Sequence, residues 1–176
     1  MAKNDNLGRI IAGCKRGEHE CFSELVDMYS GRCYGYFWRL TGDKDVSDDL
    51  LSELFVRLVE KINGYKDGSF DGWLFKTASN IFTDYLREKY REKKLLEDRK
   101  EQLKAGTTKT GRLDSEGIDK LQVQLEKLDD DTRNVIMLRF YSQTSFKEIA
   151  QMRSEPIGTT LSKVHRGLKK LRQLMG

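Results

Sequence analysis

Residues 145–175, SFKEIAQMRSEPIGTTLSKVHRGLKKLRQLM, carry two helical patterns split by a turn, and the second runs on into a basic tail. Phe146, Ile149 and Ala150 recur at helical spacing over Phe146 to Met152. Ser154-Glu155-Pro156 breaks the pattern, and a second helix opens at Pro156-Ile157-Gly158-Thr159. Pro156, the chain's one proline, suits a first helical turn, where a missing N–H costs no intrahelical bond. Beyond it Ser162, Lys163, His165, Arg166, Lys169, Lys170 and Arg172 supply hydroxyls and cations, and Leu161, Val164, Leu168 and Leu171 supply an apolar side. No acid follows Glu155. A helix divided in this way suits a major groove and its phosphates, so the stretch predicts a helix-turn-helix.

Working outward, the same period governs the rest of the chain. Apolar residues recur at i, i+3, i+4 and i+7, almost nowhere in alternation, which predicts an all-α fold. Helices are expected over Leu7 to Arg16, Glu20 to Tyr29, Arg32 to Leu40, Val46 to Ile62 and Phe70 to about Leu96. Two more are expected over Ile118 to Leu128 and Asp129 to Phe140, with Asp129 or Asp130 as N-cap of the latter. Between them AGTTKTGRLDSEG (residues 105–117) is small, polar and glycine-bearing, the composition of a flexible linker. The expected organisation is two small helical domains, 1–98 and 118–176, joined by a linker over 99–117.

The 176 residues are a third charged yet carry a formal net charge of only +4, because opposite charges are segregated. Asp43 to Glu60 holds six acids against two bases, and Leu161 to Gly176 holds five Lys/Arg and no acid. That separation suggests one surface for nucleic acid and another for a basic protein partner. Cys14, Cys21 and Cys33 are odd in number and lack a CxxC, so a reducing compartment and buried free thiols are expected. With His19 they match no close-spaced set of zinc ligands, and no metal or other cofactor is expected. No apolar run reaches membrane-spanning length and the N-terminus lacks a signal-peptide core, which predicts a cytoplasmic protein. His19 and His165 lie far apart in sequence without a partnered nucleophile, and no phosphate-binding glycine loop occurs, so an enzyme is not expected.

Three further strings precede the helix-turn-helix in order. Asp45-Val46-Ser47-Asp48-Asp49-Leu50-Leu51-Ser52-Glu53-Leu54-Phe55 resembles the DxAxDLxQExF pattern of region 2.2 of the sigma-70 family. Ser69 to Asn80 (SFDGWLFKTASN), followed by Asp84-Tyr85-Leu86-Arg87, resembles SFxxWLxxIAxN…DxLR of regions 2.3 and 2.4. Leu128, Arg133, Val135, Leu138, Arg139 and Phe140 resemble the LPxxxRxVxxLRF of region 4.1. The chain is similar to the extracytoplasmic-function (ECF, group IV) sigma factors over nearly all of its length outside the linker. It departs from them at Ser47, Ser52, Gly72 and Asp129, and in the turn Arg153-Ser154-Glu155, where a glycine and apolar residues are usual.

The resemblance implies a subunit that binds core RNA polymerase, through the largest-subunit coiled coil and the flap region, and reads promoter −10 and −35 elements. It places core binding on Asp45, Asp48, Asp49, Leu51, Ser52, Glu53 and Phe55, with Phe55 as an apolar knob among acids. The loop from Gly64 to Phe70 corresponds to the segment that receives a flipped non-template base. Tyr65 and Phe70 would stack, Ser69 and Asn80 would read base edges, and Lys66, Lys76 and Arg87 would hold phosphates. On the −35 duplex, Ser162, His165 and Arg166 would reach bases, and Thr159, Thr160, Lys163 and Lys169 phosphates. An anti-sigma factor is a further implied partner. The alternatives are a stand-alone helix-turn-helix regulator, or a sigma-like adaptor that recruits polymerase to another targeting factor. Arg153 and Glu155 in place of apolar residues are expected to trim the core between the last two helices.

Overall fold

The computed structural model describes residues 2–100 and 119–176, with side chains from Asp5 onward. The expected linker, 99–117, lies outside the described residues except for Arg99 and Lys100, which end a helix. In chain order the helices are α1 (Ala2–Lys15), α2 (His19–Thr41), α3 (Lys44–Lys61), α4 (Phe70–Lys100), α5 (Lys120–Leu125), α6 (Asp130–Ile136), α7 (Phe146–Arg153) and α8 (Ile157–Met175). A 3-10 turn (Ile62–Gly64) follows α3, and a π-helical turn (Met137–Tyr141) extends α6. No strand occurs among the described residues.

The helices expected over Glu20 to Tyr29 and Arg32 to Leu40 are one. Leu25, Tyr29, Cys33, Tyr36, Phe37 and Leu40 form an unbroken buried stripe along α2. That burial outweighs the roughly 1 kcal/mol that Gly31 costs inside a helix. Local chemistry sets the other boundaries. Asp43 accepts from the Val46 N–H at 3.0 Å to start α3, and Ser69 Oγ accepts from the Gly72 N–H at 3.0 Å to start α4. Asp129 accepts from the Thr132 N–H at 2.8 Å, and Ser145 and Glu148 form a reciprocal capping box on α7. Pro156 sits at the N-cap of α8 with φ −60°.

Helices α1–α4 enclose an aromatic core of Tyr36, Phe37, Phe75 and Phe82 with Leu25, Leu54, Leu58 and Leu74. The three cysteines are buried free thiols, and burial pushes Cys14 up to about 11. Helices α5–α8 form a smaller unit around Val135, Leu138, Ile149 and Val164. There α8 crosses α6 so closely that a Cβ at Gly167 would lie 2.6 Å from Ile136 Cδ1 and Thr132 Cγ2. The buried residues of the two units join in one apolar cluster. Tyr36 Oη donates to Asn134 Oδ1 at 2.6 Å and Asn134 Nδ2 to Ser79 Oγ at 3.1 Å, all buried. Arg133 Nη1 donates to the Leu40 carbonyl at 2.5 Å, tying α6 to the C-terminal end of α2.

Candidate nucleic-acid and polymerase interfaces

On α3 the acids expected to face a partner are all solvent-exposed. Asp45, Asp49, Ser52, Val56 and Val59 follow i+4/i+3 spacing and so share one stripe, flanked by Asp48 and Glu53. The apolar residues expected on this face are not its most exposed ones. Leu51 and Phe55 are half-buried and pack against the core, whereas Val56 and Val59 stand 57% and 52% exposed among the acids. An α-helix turns 100° per residue, so a one-residue step moves a side chain off the face. Exposed β-branched residues on an acidic stripe were the available signal.

The segment after α3 is closed by its own side chains. Tyr65 Oη donates to the Gly68 carbonyl at 2.7 Å, and Gly68 has φ 110°, a conformation open to glycine. Lys66 and Ser69 are exposed. Phe70 is 4% exposed and packs edge-on against Tyr29 and Tyr65, both at 5.4 Å. It is therefore a core residue and cannot serve as an open stacking platform, contrary to expectation; its ring anchors the loop instead. Tyr65 keeps a half-exposed ring. Further along α4, Lys76, Asn80 and Arg87 are exposed and fall on one stripe, with Arg87 3.3 Å from Asp84. Arg32 and the Tyr29 hydroxyl hold the two oxygens of Asp71, just after the loop, at 2.9 and 2.6 Å.

In α8, Thr159, Ser162, His165, Arg166 and Lys169 face solvent. Thr160 does not: it is fully buried and donates to Glu155 Oε1 at 2.8 Å. Lys163 lies 2.7 Å from Glu155 and 2.8 Å from Asp131. Both were expected on phosphates, and both are instead engaged within the fold. The substituted turn explains this. Arg153 pairs with Asp131 and, at 3.3 Å, with Glu155, so charged residues fill the space that apolar ones were expected to vacate. Burial pushes the Glu155 carboxyl up, but bonds from Lys163 and Thr160 and the charge of Arg153 outweigh it and hold the group below its ordinary range. Asp131 shifts the same way, burial being overcome by Lys163 and Arg153. Ser154 takes the left-handed conformation, φ 51°, that glycine usually supplies. Leu161 and Leu168, on the expected apolar side, are 43% and 37% exposed, beside buried Val164 and Leu171.

The family model for Sigma-70 region 2 matches residues 25–92, and that for Sigma-70 region 4 matches residues 124–173. The chain is 27% identical to the ECF RNA polymerase sigma factor SigW of Bacillus subtilis (strain 168), over 95% of both chains. It is 30% identical over 141 residues to the ECF RNA polymerase sigma factor EcfG of Rhodopseudomonas palustris (strain TIE-1), covering 77% of this chain and 75% of the relative. Among solved structures it resembles the sigma factor RpoE, crystallised in complex with the anti-sigma factor NepR from Bartonella quintana. That likeness has a TM-score of 0.69 at 22% identity, covers 88% of this chain and 96% of the other, and shows a common fold. With both family regions matched in order and full-length relatives of one kind, the chain belongs to the extracytoplasmic-function sigma factors of the sigma-70 family.

Proposed function

We infer that this chain directs promoter-specific transcription initiation as a dissociable subunit of RNA polymerase. The observation that carries the reading is one chain with two separated exposed faces: the acidic α3 stripe and the hydroxyl- and cation-bearing face of α8. The α3 face fits a basic, partly apolar coiled coil of the largest subunit, with Asp45, Asp48, Asp49 and Glu53 steering approach and Val56 and Val59 buried on contact. The loop with Tyr65, Lys66 and Ser69, together with Lys76, Asn80 and Arg87, would hold the opened −10 strand. On the −35 duplex, Ser162, His165 and Arg166 would read base edges, with Thr159 and Lys169 on phosphates. Specificity and strand opening belong to this chain, and the chemistry to polymerase, in the cytoplasm where polymerase works. No helix among the described residues is long and apolar enough to cross a membrane. An anti-sigma factor, like the one bound to the similar RpoE, is a partner the α8 and α3 faces could accept.

Run-off transcription of genomic DNA by core polymerase, sequenced with and without this protein, tests the reading. New start sites sharing spaced −10 and −35 motifs are expected. If start sites do not change while the protein alone binds duplex DNA tightly and specifically, the stand-alone regulator is correct.

A further inference from the structure

The charged turn ties three helices of the second unit together. Asp131 lies in the first turn of α6, Arg153 ends α7, Glu155 follows it, and Thr160 and Lys163 belong to α8. Glu155 Oε1 accepts from the Thr160 hydroxyl at 2.8 Å and lies 3.3 Å from Arg153 Nε, while its Oε2 lies 2.7 Å from Lys163 Nζ. Asp131 pairs with Arg153 through one oxygen and with Lys163, at 2.8 Å, through the other. The Arg153, Glu155 and Lys163 side chains are only 15%, 14% and 20% exposed, so salt screens these pairs far less than surface ones. Along α8, Thr160, Val164, Gly167 and Leu171 form the buried edge. At 100° per residue, Ser162, His165 and Lys169 stand opposite that edge, and Lys163, Arg166 and Lys170 share one flank. That flank lines a cleft of about 350 Å³ together with Asp129, Asp131 and Thr132 at the start of α6.

We propose that Glu155 and Lys163 are positioning residues for −35 recognition, fixing the rotation of α8, and that Lys163 stays paired inside the fold when α8 meets the duplex. This rests on the −35 role assigned above to α8. Thr160 and Lys163 lie about one turn apart on α8, and both are held by Glu155, which fixes the start of the helix and its rotation. A turn further on, the close approach at Gly167 leaves α8 little room to shift against α6. The cluster has two acids, Asp131 and Glu155, and two cations, Arg153 and Lys163, so it presents no net charge to DNA. Turning Lys163 out to a phosphate would leave both carboxylates to Arg153 alone, beside an anionic backbone, and a part-buried acid without its cation is costly. Base reading by Ser162, His165 and Arg166 then depends on a helix pose held within about 0.5 Å, which a braced helix supplies.

Salt dependence separates a brace from a phosphate contact, because each phosphate contact adds about one to the slope of log affinity against log salt. Holoenzymes rebuilt from core polymerase and wild-type, Lys163→Met, Lys169→Met or Asp131→Asn/Glu155→Gln protein would bind promoter duplexes with a randomised −35 segment over a salt series. Wild-type holoenzyme is expected to enrich a −35 motif. Lys163→Met should weaken that preference about tenfold, the scale of one lost bidentate base contact, with the salt slope kept. Lys169→Met should do the reverse, lowering the slope by about one with the motif kept. The double variant frees Lys163 for the backbone, so its slope should steepen by about one while the motif weakens. Thermal melts of the free proteins would verify folding. An unfolded region 4 would lose all its phosphate contacts together, so the unchanged slope of Lys163→Met separates positioning from loss of fold. A slope lowered by about one in Lys163→Met, with the motif kept, would put Lys163 on a phosphate and overturn the proposal. The proposal also falls if Lys163→Met matches wild type in both measures, or if the double variant keeps the motif. A wild-type holoenzyme that enriches no motif would overturn the −35 reading itself.

Discussion

Arg133 shows what a single buried cation can organise. Its guanidinium donates to the carbonyls of Leu125, Glu126 and Leu128 at 2.8, 3.2 and 2.9 Å, and to that of Leu40 at 2.5 Å. These carbonyls lie at or just beyond the C-terminal ends of α5 and α2, where the helix dipole favours positive charge. Lysine could not replace it, since one ammonium lacks the planar fork that reaches four acceptors. The helix-turn-helix uses charge differently, through Asp131, Arg153, Glu155 and Lys163. Both carboxyls are held below their ordinary range, so their contribution is present at neutral pH and is lost as pH falls below the ordinary carboxylate range and through their lowered folded-state values. Acid titration of unfolding by circular dichroism should show this, and Glu155→Gln should be less stable at pH 7 and flatter in its acid slope. Equal slopes for the two proteins would dismiss the network as a source of stability.

At the scale of elements, α3 has two apolar edges with different tasks. Leu50, Leu54 and Leu58 face inward, Phe55 packs at the margin, and Val56 and Val59 face water. Val56→Glu should leave the melting temperature unchanged and weaken binding to core polymerase about tenfold or more, as loss of a central interface contact does. Phe55→Ala should instead lower the denaturant midpoint. Fluorescence titration of labelled protein with core enzyme separates the two, and wild-type affinity for the Val56 variant would remove the valines from the interface. Whether α8 faces DNA or protein at Leu161 and Leu168 is a matter of the same kind: the helix has a buried edge, a cationic face and an apolar strip between them.

Across the whole molecule the two units are docked through polar groups that water would otherwise solvate. Tyr36, Asn134 and Ser79 form a buried chain, and Tyr36 is fully enclosed. Promoter elements at −10 and −35 lie roughly 80 Å apart at 3.4 Å per base pair. A compact chain of this length has a radius of gyration of about 16 Å, so gripping both elements requires the units to part. Asn134→Ala would remove the amide that joins the buried Tyr36 and Ser79 hydroxyls to α6 and weaken the docked form by about 1–3 kcal/mol. Small-angle X-ray scattering should then report a larger radius of gyration than wild type. An unchanged scattering profile would show that the docking does not depend on this chain of bonds.

The sequence by itself determined the all-helical class, the cap at Asp129, the helix-turn-helix and the acidic run, because those follow from spacing and local hydrogen bonding. It also carried the family, through ordered strings of residues. Only the tertiary structure decided that α2 is continuous, that Phe70 and Thr160 are enclosed, and that Val56 and Val59 rather than Phe55 face outward. The same holds for the charged turn, whose side chains pair with one another and with Asp131, and for α1 lying against the loop that follows α3. Each of these depends on which neighbour a side chain meets across the fold. Periodicity reports the face of a helix, and only packing reports what lies against it.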